Sequence, residues 1–270
     1  MDWKELGTRA ETASFYDPEE YEKLRQFWAS KIRLPAAQGD YDCPVCGNLG
    51  VGLFHREGIM GLLAVPCNCE NIRKNWQHIR QSGMEELLQR CSFEKFEVTE
   101  PWQEAFLQGA KDYARHPEGW LMLSGQSGSG KTHLCAAVCR SLAAEQKIFL
   151  YMPWREEMAA LKALATDYTL RQQRMGKFMK APYLFVDDLF KSPREQGKVN
   201  VTRAEIEYAF ELLNYRYNQR LPTIISTELL PGELQGVDEA LHSRIAERCG
   251  KHLYTIGRSQ KRNYRLRPAG

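Results

Sequence analysis

The segment that most constrains the fold of this chain is a glycine-rich stretch at residues 125–132, which reads Gly-Gln-Ser-Gly-Ser-Gly-Lys-Thr. It fits the GxxxxGK[ST] pattern of a P-loop. An apolar run at 120–124 precedes it, and a helical pattern from 133 to 145 follows it. A strand, a glycine-rich turn and a helix in this order place backbone N–H groups where they can bind phosphate. A Gly/Ser loop that only resembles the motif is the alternative.

The P-loop pattern assigns roles toward a bound nucleotide. Lys131 would reach the β- and γ-phosphates, and the Thr132 hydroxyl would ligate Mg²⁺. The pattern therefore predicts that ATP and Mg²⁺ are bound here. The residues expected around them form one continuous run: Gly125, Gln126, Ser127, Gly128, Ser129, Gly130, Lys131, Thr132 and His133.

A second segment supplies acids for the metal and for hydrolysis. Residues 183–188 read Tyr-Leu-Phe-Val-Asp-Asp, an apolar strand that ends in two carboxylates. Asp187 would hold Mg²⁺ through water, and Asp188 would orient and deprotonate the attacking water. The two acids could instead cap the next helix or be solvated turn residues. Because aspartate is one methylene shorter than glutamate, we expect slow turnover.

Composition restricts the class of protein. The chain has 270 residues, of which 43% are hydrophobic and 26% charged, so collagen, coiled-coil and disordered classes are excluded. No apolar run approaches the roughly 18 residues that a membrane-spanning helix needs, and residues 1–6 lack the layout of a secretory signal. We expect a cytoplasmic protein with no membrane partner. In that compartment cysteines are more often metal ligands or core residues than disulfides.

Four cysteines lie close together in the sequence. Cys43 and Cys46 form a CxxC pair, and Cys67 and Cys69 form a CxC pair. Two thiolates from each of two short turns can surround one tetrahedral Zn²⁺, and a site filled by four protein ligands is structural. The spacing predicts zinc. Unligated thiols, an iron–sulfur cluster and His55 as a substitute ligand are the alternatives.

Helical and strand patterns alternate after residue 101, which predicts an α/β fold with a parallel five-stranded sheet covered by helices. The N-terminal region has a different composition, with a helix expected over 17–34, a short hairpin and the cysteine cluster. We place the boundary at 90, which gives a small helical and zinc-binding domain at 1–90 and a larger domain at 91–270. The strands are expected at 120–124, 148–152, 183–187, 223–227 and 252–256, and the helices between them at 131–145, 155–164, 170–180, 202–219 and 238–248.

These segments resemble the AAA+ P-loop ATPases, and more narrowly the helicase loaders of the DnaC/DnaI type, with the IstB-like transposition ATPases as near relatives. The resemblance covers about residues 93–267. It rests on five segments in order: 125–134 (GQSGSGKTHL), 184–191 (LFVDDLFK), 222–229 (PTIISTEL), 243–245 (SRI) and 263–265 (NYR).

The resemblance implies roles for residues outside the P-loop. Thr227 or Glu228 stands where the family has a polar sensor of the γ-phosphate. Arg244 matches the arginine finger that reaches a neighbouring subunit's nucleotide, and Arg265 resembles the second sensor arginine. An ordinary surface salt bridge is the alternative for each arginine.

The resemblance also implies a function. Residues 91–270 would be an AAA+ ATPase domain that self-associates, and residues 1–90 would dock on the helicase through a zinc-containing domain. The chain would use ATP to load a DnaB-type replicative helicase onto single-stranded DNA during DNA replication. Two alternatives are an IstB-like transposition helper with a transposase partner, and a nucleotide-gated adaptor that hardly hydrolyses ATP.

Two basic segments are candidates for contact with single-stranded DNA. Residues 251–270 carry six basic and no acidic side chains, with Tyr254 and Tyr264 among them, and basic and aromatic residues together suit a single strand. A solvated face is an equally open interpretation. The basic residues of the first segment are Lys251, Arg258, Lys261, Arg262, Arg265 and Arg267, and those of the second, on the helix expected at 170–180, are Arg171, Arg174, Lys177 and Lys180.

Overall fold

The computed structural model of the chain describes residues 23, 26, 27, 43, 46, 49–55, 62–191, 194–195, 198–259, 262 and 264. The helix predicted over 17–34 lies outside the described residues apart from positions 23, 26 and 27, which are helical. The chain divides into two compact units, Met1–Gln77 and His78–Gly270. Among the described residues, no helix combines the length and the apolar character needed to cross a membrane.

The first unit contains a small antiparallel hairpin of β1 (Val51–His55) and β2 (Leu62–Pro66). Val51 pairs with Pro66 at its open end. Helix α1 (Cys69–Gln81) begins three residues after β2. The hairpin therefore brings the residues just before β1 close to those just after β2.

The second unit contains the strands and helices that the alternating pattern predicts, together with further elements. They are α2 (Met84–Arg90), α3 (Pro101–Arg115), β3 (Trp120–Gly125), α4 (Lys131–Ala144), β4 (Phe149–Pro153), α5 (Trp154–Ala163), α6 (Tyr168–Met179), β5 (Tyr183–Leu189), β6 (Arg194–Glu195), β7 (Lys198–Val199), α7 (Arg203–Asn218), β8 (Thr223–Thr227), α8 (Pro231–Val237), α9 (Glu239–Cys249) and β9 (Leu253–Ile256).

A five-stranded sheet with the order β4-β5-β8-β3-β9 forms the centre of this unit, and every neighbouring pair is parallel. The predicted α/β fold is confirmed. All residues of β3 and β8 are buried, as expected for strands covered by helices on both faces. Because the strands are parallel, their carboxyl ends meet at one edge, where α/β proteins bind ligands.

The structure adds elements that the sequence analysis did not predict, namely α3, α8 and the short hairpin β6–β7. Helix α3 starts with a proline at its first turn and a capping box in which the Gln103 side chain accepts from the Glu100 N–H at 2.8 Å. Helix α8 also starts with a proline, and the Glu233 carboxylate accepts from the Leu230 N–H at 2.9 Å. Both starts carry recognisable sequence signals.

The division into units comes earlier than the predicted boundary at 90. Helix α2 belongs to the second unit, because the Arg140 side chain of α4 donates to the Leu88 carbonyl oxygen at 2.8 Å. Met84 and Leu88 of α2 are buried. The residues at 78–90 therefore pack as part of the sheet-containing unit.

Arg216 is buried completely inside the second unit and holds several chain segments together. Its guanidinium donates to the carbonyl oxygens of Phe178, Met179, Ala181 and Pro222, and its Nε donates to Thr223 Oγ1 at 2.9 Å. These bonds join the end of α6, the start of β8 and α7. A buried charge is tolerated only when its donors are satisfied in this way.

We predict that Arg216→Met destabilises the protein by about 3–5 kcal/mol, because it leaves buried carbonyl oxygens without donors. Denaturant unfolding followed by circular dichroism measures the change. Arg203→Met on the same helix is the matched control, since Arg203 forms an exposed pair with Glu207 at 2.9 Å, and it should leave the midpoint unchanged. Equal midpoints for the two variants would contradict the structural role of Arg216.

Candidate nucleotide-binding site and cysteine cluster

The P-loop backbone has a shape that requires glycine at three positions. Gly125, Gly128 and Gly130 have φ values of 140°, 75° and 84°. A Cβ on Gly125 would lie 2.2 Å from Ile256 Cγ2, and a Cβ on Gly130 would lie 2.6 Å from the Phe96 ring. The loop thus passes close to β9 and to the segment before α3, and side chains at these positions would push it out of place.

A cavity of about 630 Å³ opens at the carboxyl edge of the sheet. Of the predicted nucleotide contacts, residues 127–133 line it, whereas Gly125 and Gln126 lie behind the lining. The cavity is also lined by residues of α2, of the segment before α3 and of the start of α3, for which the sequence indicated no role: Leu87, Arg90, Cys91, Lys95, Phe96, Glu97, Trp102 and Gln103. Arg262 and Tyr264, which the sequence placed among the candidate DNA contacts, line it as well.

Lys131 is the first residue of α4 and is almost fully buried, with 5% of its surface exposed. Its ammonium donates to the Gln126 carbonyl oxygen at 2.8 Å, within the loop. Burial lowers the pKa of Lys131 below its ordinary value. A phosphate beside this ammonium would favour its charged form, which is the condition for tight anion binding.

The Asp187 carboxylate accepts hydrogen bonds from hydroxyl groups on three different elements. Thr132 Oγ1 donates to its Oδ1 at 2.8 Å, the Tyr151 hydroxyl donates to its Oδ2 at 3.1 Å, and Ser226 Oγ also donates to Oδ1. Burial raises the pKa of Asp187, although the hydroxyl donors act in the opposite direction. Thr132 and Asp187 therefore bring a hydroxyl and a carboxylate together, the oxygen ligands that suit Mg²⁺.

Strand β5 is irregular where its two acids lie. The register with β8 shifts between Val186 and Leu189, and Asp188 has a φ of 57°. A bulge of this kind re-aims side chains next to a site. Ser226 Oγ accepts from the Asp188 N–H at 2.8 Å and so supports the bulge as well as Asp187. Both acids line the cavity as a result.

Lys191 is a cationic side chain of the cavity that the sequence analysis quoted without a role. Its ammonium lies 2.6 Å from Asp188 Oδ2 and 3.6 Å from Glu228 Oε1. Burial alone would lower the pKa of Lys191, but its hydrogen bonds and charge interactions with Asp188 and Glu228 together outweigh burial and raise it. Lys191 therefore remains charged between the two carboxylates.

The four cysteines of the CxxC and CxC pairs converge in the first unit. Their sulfur atoms all lie within 4.8 Å of one another, with Cys43 Sγ 3.6 Å from Cys67 Sγ and Cys46 Sγ 3.5 Å from Cys69 Sγ. Four thiolates around one tetrahedral Zn²⁺ have sulfur atoms about 3.8 Å apart, given the usual Zn–S distance. The side chains present therefore fit a zinc ion. Burial raises the pKa of Cys69 to about 11, and a cation would favour the thiolate form.

Comparison with known proteins decides the family. Over 238 residues the chain is 32% identical to the phage-like element PBSX protein XkdC of Bacillus subtilis. The aligned region covers 84% of this chain and 86% of that protein. The chain is also 26% identical to the replicative helicase loader DnaC of Escherichia coli over 182 residues, 65% of this chain and 70% of that protein. This chain belongs to the DnaC/DnaI-type AAA+ family.

A solved structure agrees in fold. The crystal structure of DnaI matches with a TM-score of 0.51 at 23% sequence identity, covering 64% of this chain and 93% of that one. No protein-family model matches the chain.

The structure separates the two sensor candidates that the AAA+ resemblance left open. Thr227 is fully buried, and its hydroxyl donates to the Leu189 carbonyl oxygen at 2.8 Å, across the bulge of β5. Glu228 lines the cavity. Of the two, Glu228 therefore reaches the cavity, whereas Thr227 supports the ends of the neighbouring strands.

Of the two arginines implied by the AAA+ resemblance, Arg244 lies outside the cavity lining and Arg265 lies outside the described residues. Arg244 lies on α9. Its Nε donates to Asn214 Oδ1 at 3.1 Å, and its guanidinium lies over the Phe210 ring at 5.1 Å.

The segment after β9 crosses the P-loop. The Ser259 N–H donates to the Gln126 side chain at 2.6 Å, and the Tyr264 N–H donates to the Gly128 carbonyl oxygen at 2.9 Å. Tyr254, expected beside DNA, instead packs edge-on to Phe106 of α3. The C-terminal segment therefore contributes to the cavity, which the sequence indicated only through the resemblance of Arg265 to a sensor arginine.

We predict that the purified protein contains about one zinc ion per chain, because four thiolates complete the coordination of a structural site. Metal analysis by atomic emission measures it. Cys69→Ser should lose the zinc and destabilise the first unit, whereas Cys139→Ala, in the core of α4, should retain it. A zinc-free native protein whose clustered thiols all react with a thiol reagent would contradict this prediction.

Proposed function

We propose that this chain is an ATP-dependent loader that places a DnaB-type replicative helicase onto single-stranded DNA during DNA replication. The observation that carries the proposal is the meeting of Lys131, Thr132 and Asp187 in one cavity at the P-loop. Membership of the DnaC/DnaI-type family supports the helicase as the partner.

Hydrolysis would use the residues of this cavity. Lys131 would bind the β- and γ-phosphates, and Thr132 with Asp187 would hold Mg²⁺. Asp188 would orient the attacking water, although its carboxylate is paired with Lys191 at 2.6 Å. Because Lys191 occupies this carboxylate, the ion pair must open before Asp188 can hold the water, so we expect slow hydrolysis.

Self-association would complete the site. Arg244 lies on α9 outside its own cavity, and its guanidinium is held by Asn214, Phe210 and the Ala240 carbonyl oxygen. In a ring or spiral of copies this arginine would face the neighbouring nucleotide and stabilise charge during phosphoryl transfer. Arg265 would act as a second sensor in the same site.

The remaining parts would bind the two macromolecular partners. The N-terminal domain, stabilised by zinc at the four cysteines, would dock on the helicase. Single-stranded DNA would contact the start of α6, where Tyr168 is 66% exposed and the Arg171 guanidinium lies over its ring at 5.4 Å. Arg174 of the same basic segment forms an ion pair with Glu157 at 2.8 Å and is therefore less available for phosphate.

A nucleotide-gated adaptor that hardly hydrolyses ATP is a second candidate. The ion pair between Asp188 and Lys191 favours it, because this pair occupies the carboxylate that would act as base. Both candidates require nucleotide-dependent partner binding. Single-turnover ATP cleavage separates them, since the adaptor predicts the same low rate for the native chain and for Asp188→Asn.

We predict that the native chain forms a complex with a DnaB-type helicase in the presence of ATP, detectable by size-exclusion chromatography. Lys131→Ala should weaken ATP binding about 10- to 100-fold, because it removes a charge-assisted contact, and should lose the ATP-dependent part of the complex. Lys147→Ala, at a partly exposed pair with Glu145 outside the cavity lining, is the matched control and should behave like the native chain. Absence of any complex with the native chain would overturn the loader proposal.

We predict that Arg244 acts across subunits. Arg244→Ala and Lys131→Ala should each lose most ATPase activity, and mixing the two should restore about a quarter of the sites, because the intact finger of one chain then meets the intact P-loop of the other. A mixture of Lys131→Ala with Asp188→Asn should restore nothing. Failure of the first mixture at every ratio would exclude a finger supplied by a neighbour.

A further inference from the structure

Three carboxylates at or next to the ends of β5 and β8 line the cavity together with the P-loop: Asp187, Asp188 and Glu228. An ionised carboxylate only accepts hydrogen bonds, so Glu228 has no donor to offer a phosphate oxygen. Beside a triphosphate it would repel the ligand unless a cation lies between them.

Lys191 is the cation in that position. Its ammonium contacts Asp188 Oδ2 at 2.6 Å and lies 3.6 Å from Glu228 Oε1, so it is shared between the two acids. An ammonium has three N–H donors. The pairing with Asp188 uses one, and the others are available to Glu228 and to an oxygen in the cavity. Lys191 can therefore offset both carboxylates and still donate to a phosphate.

The backbone fixes the position of Lys191. Its N–H donates to the Asp188 carbonyl oxygen at 2.9 Å, which closes a turn in which Asp188 and Phe190 both have φ near 57°. The Phe190 ring is buried and packs edge-on to Trp154 at 5.4 Å. A turn anchored at its centre holds the lysine stem at the cavity wall, unlike a surface lysine on a free loop.

We propose that Lys191, held between Asp188 and Glu228, contacts the terminal phosphate of ATP and makes the site prefer ATP over ADP. This inference rests on the proposed ATP-binding function. Glu228 then acts as a positioning residue that fixes where the Lys191 ammonium lies. Lys191 and Glu228 together take the role of the polar sensor side chain.

Calorimetric titration with a non-hydrolysable ATP analogue and with ADP, each with Mg²⁺, tests the proposal on the full chain. Lys191→Met should weaken the ATP analogue about 10- to 100-fold, the loss of one charge-assisted contact, and should weaken ADP by less than about threefold. Lys191→Arg should retain most of the preference. Adding Glu228→Gln to Lys191→Met should recover at least about threefold of the lost affinity, because it removes the unpaired carboxylate.

The matched control is Lys95→Met. Lys95 also lines the cavity, but in the segment before α3, where its ammonium donates to the Gln89 carbonyl oxygen at 3.1 Å. Its loss should leave the ratio of ATP to ADP affinity unchanged. Thermal unfolding of each variant identifies any that fail to fold, and Lys191→Arg then carries the test through its retained preference.

The remaining outcomes of the titrations test the role of Lys191, the role of Glu228 and the proposed function separately. Equal weakening of the ATP analogue and ADP by Lys191→Met would overturn the proposal and leave the ATPase function standing. No recovery by the second substitution would overturn the role of Glu228. A native chain that binds neither nucleotide would overturn the proposed function itself, and the role of Lys191 with it.

Discussion

The carboxylate of Asp187 is the interaction on which the site depends. It accepts from hydroxyls on α4, β4 and β8, the elements on either side of β5 and the helix that follows the P-loop. These donors meet only because β4, β5 and β8 are neighbours in a parallel sheet and end at the same edge. Each hydroxyl satisfies a buried charge that would otherwise be costly. The fold and the phosphate site are therefore stabilised by the same contacts.

Charge balance explains why the cavity contains so many ionisable groups. A bound triphosphate would bring several negative charges to a cavity that already contains four acids, namely Glu97, Asp187, Asp188 and Glu228, and burial would strengthen every interaction there. Lys131 and Lys191 lie at the loop and at the end of β5, and the C-terminal segment adds Arg262 to the lining. The site is thus assembled from parts of the chain that are far apart in sequence, around a phosphate-binding loop that is local.

The two units are stabilised by different kinds of interaction. The second has a large apolar core that includes fully buried Trp120, Trp154 and Phe185, and it satisfies the buried Arg216 with backbone carbonyl oxygens. In the part of the first unit that the structure describes, the four cysteines form a buried cluster around a short hairpin. A metal held by such a cluster would add stability that a small apolar core does not supply by itself. This difference is why loss of the cysteine cluster and loss of Arg216 should affect different parts of the chain.

The sequence alone determined the features that depend on short-range order: the P-loop between a strand and a helix, the five strands of the sheet, the paired acids at the end of β5 and the cysteine spacing. Each is a local pattern whose chemistry follows from neighbouring residues. The tertiary structure decided the rest. Four features depend on pairing between distant segments: the bulge that turns Asp188 toward the cavity, the support from Ser226, the placement of Glu228 rather than Thr227, and the contacts of Ser259 and Tyr264 with the P-loop. Strand register and loop packing are set by the whole core, and no local pattern encodes them.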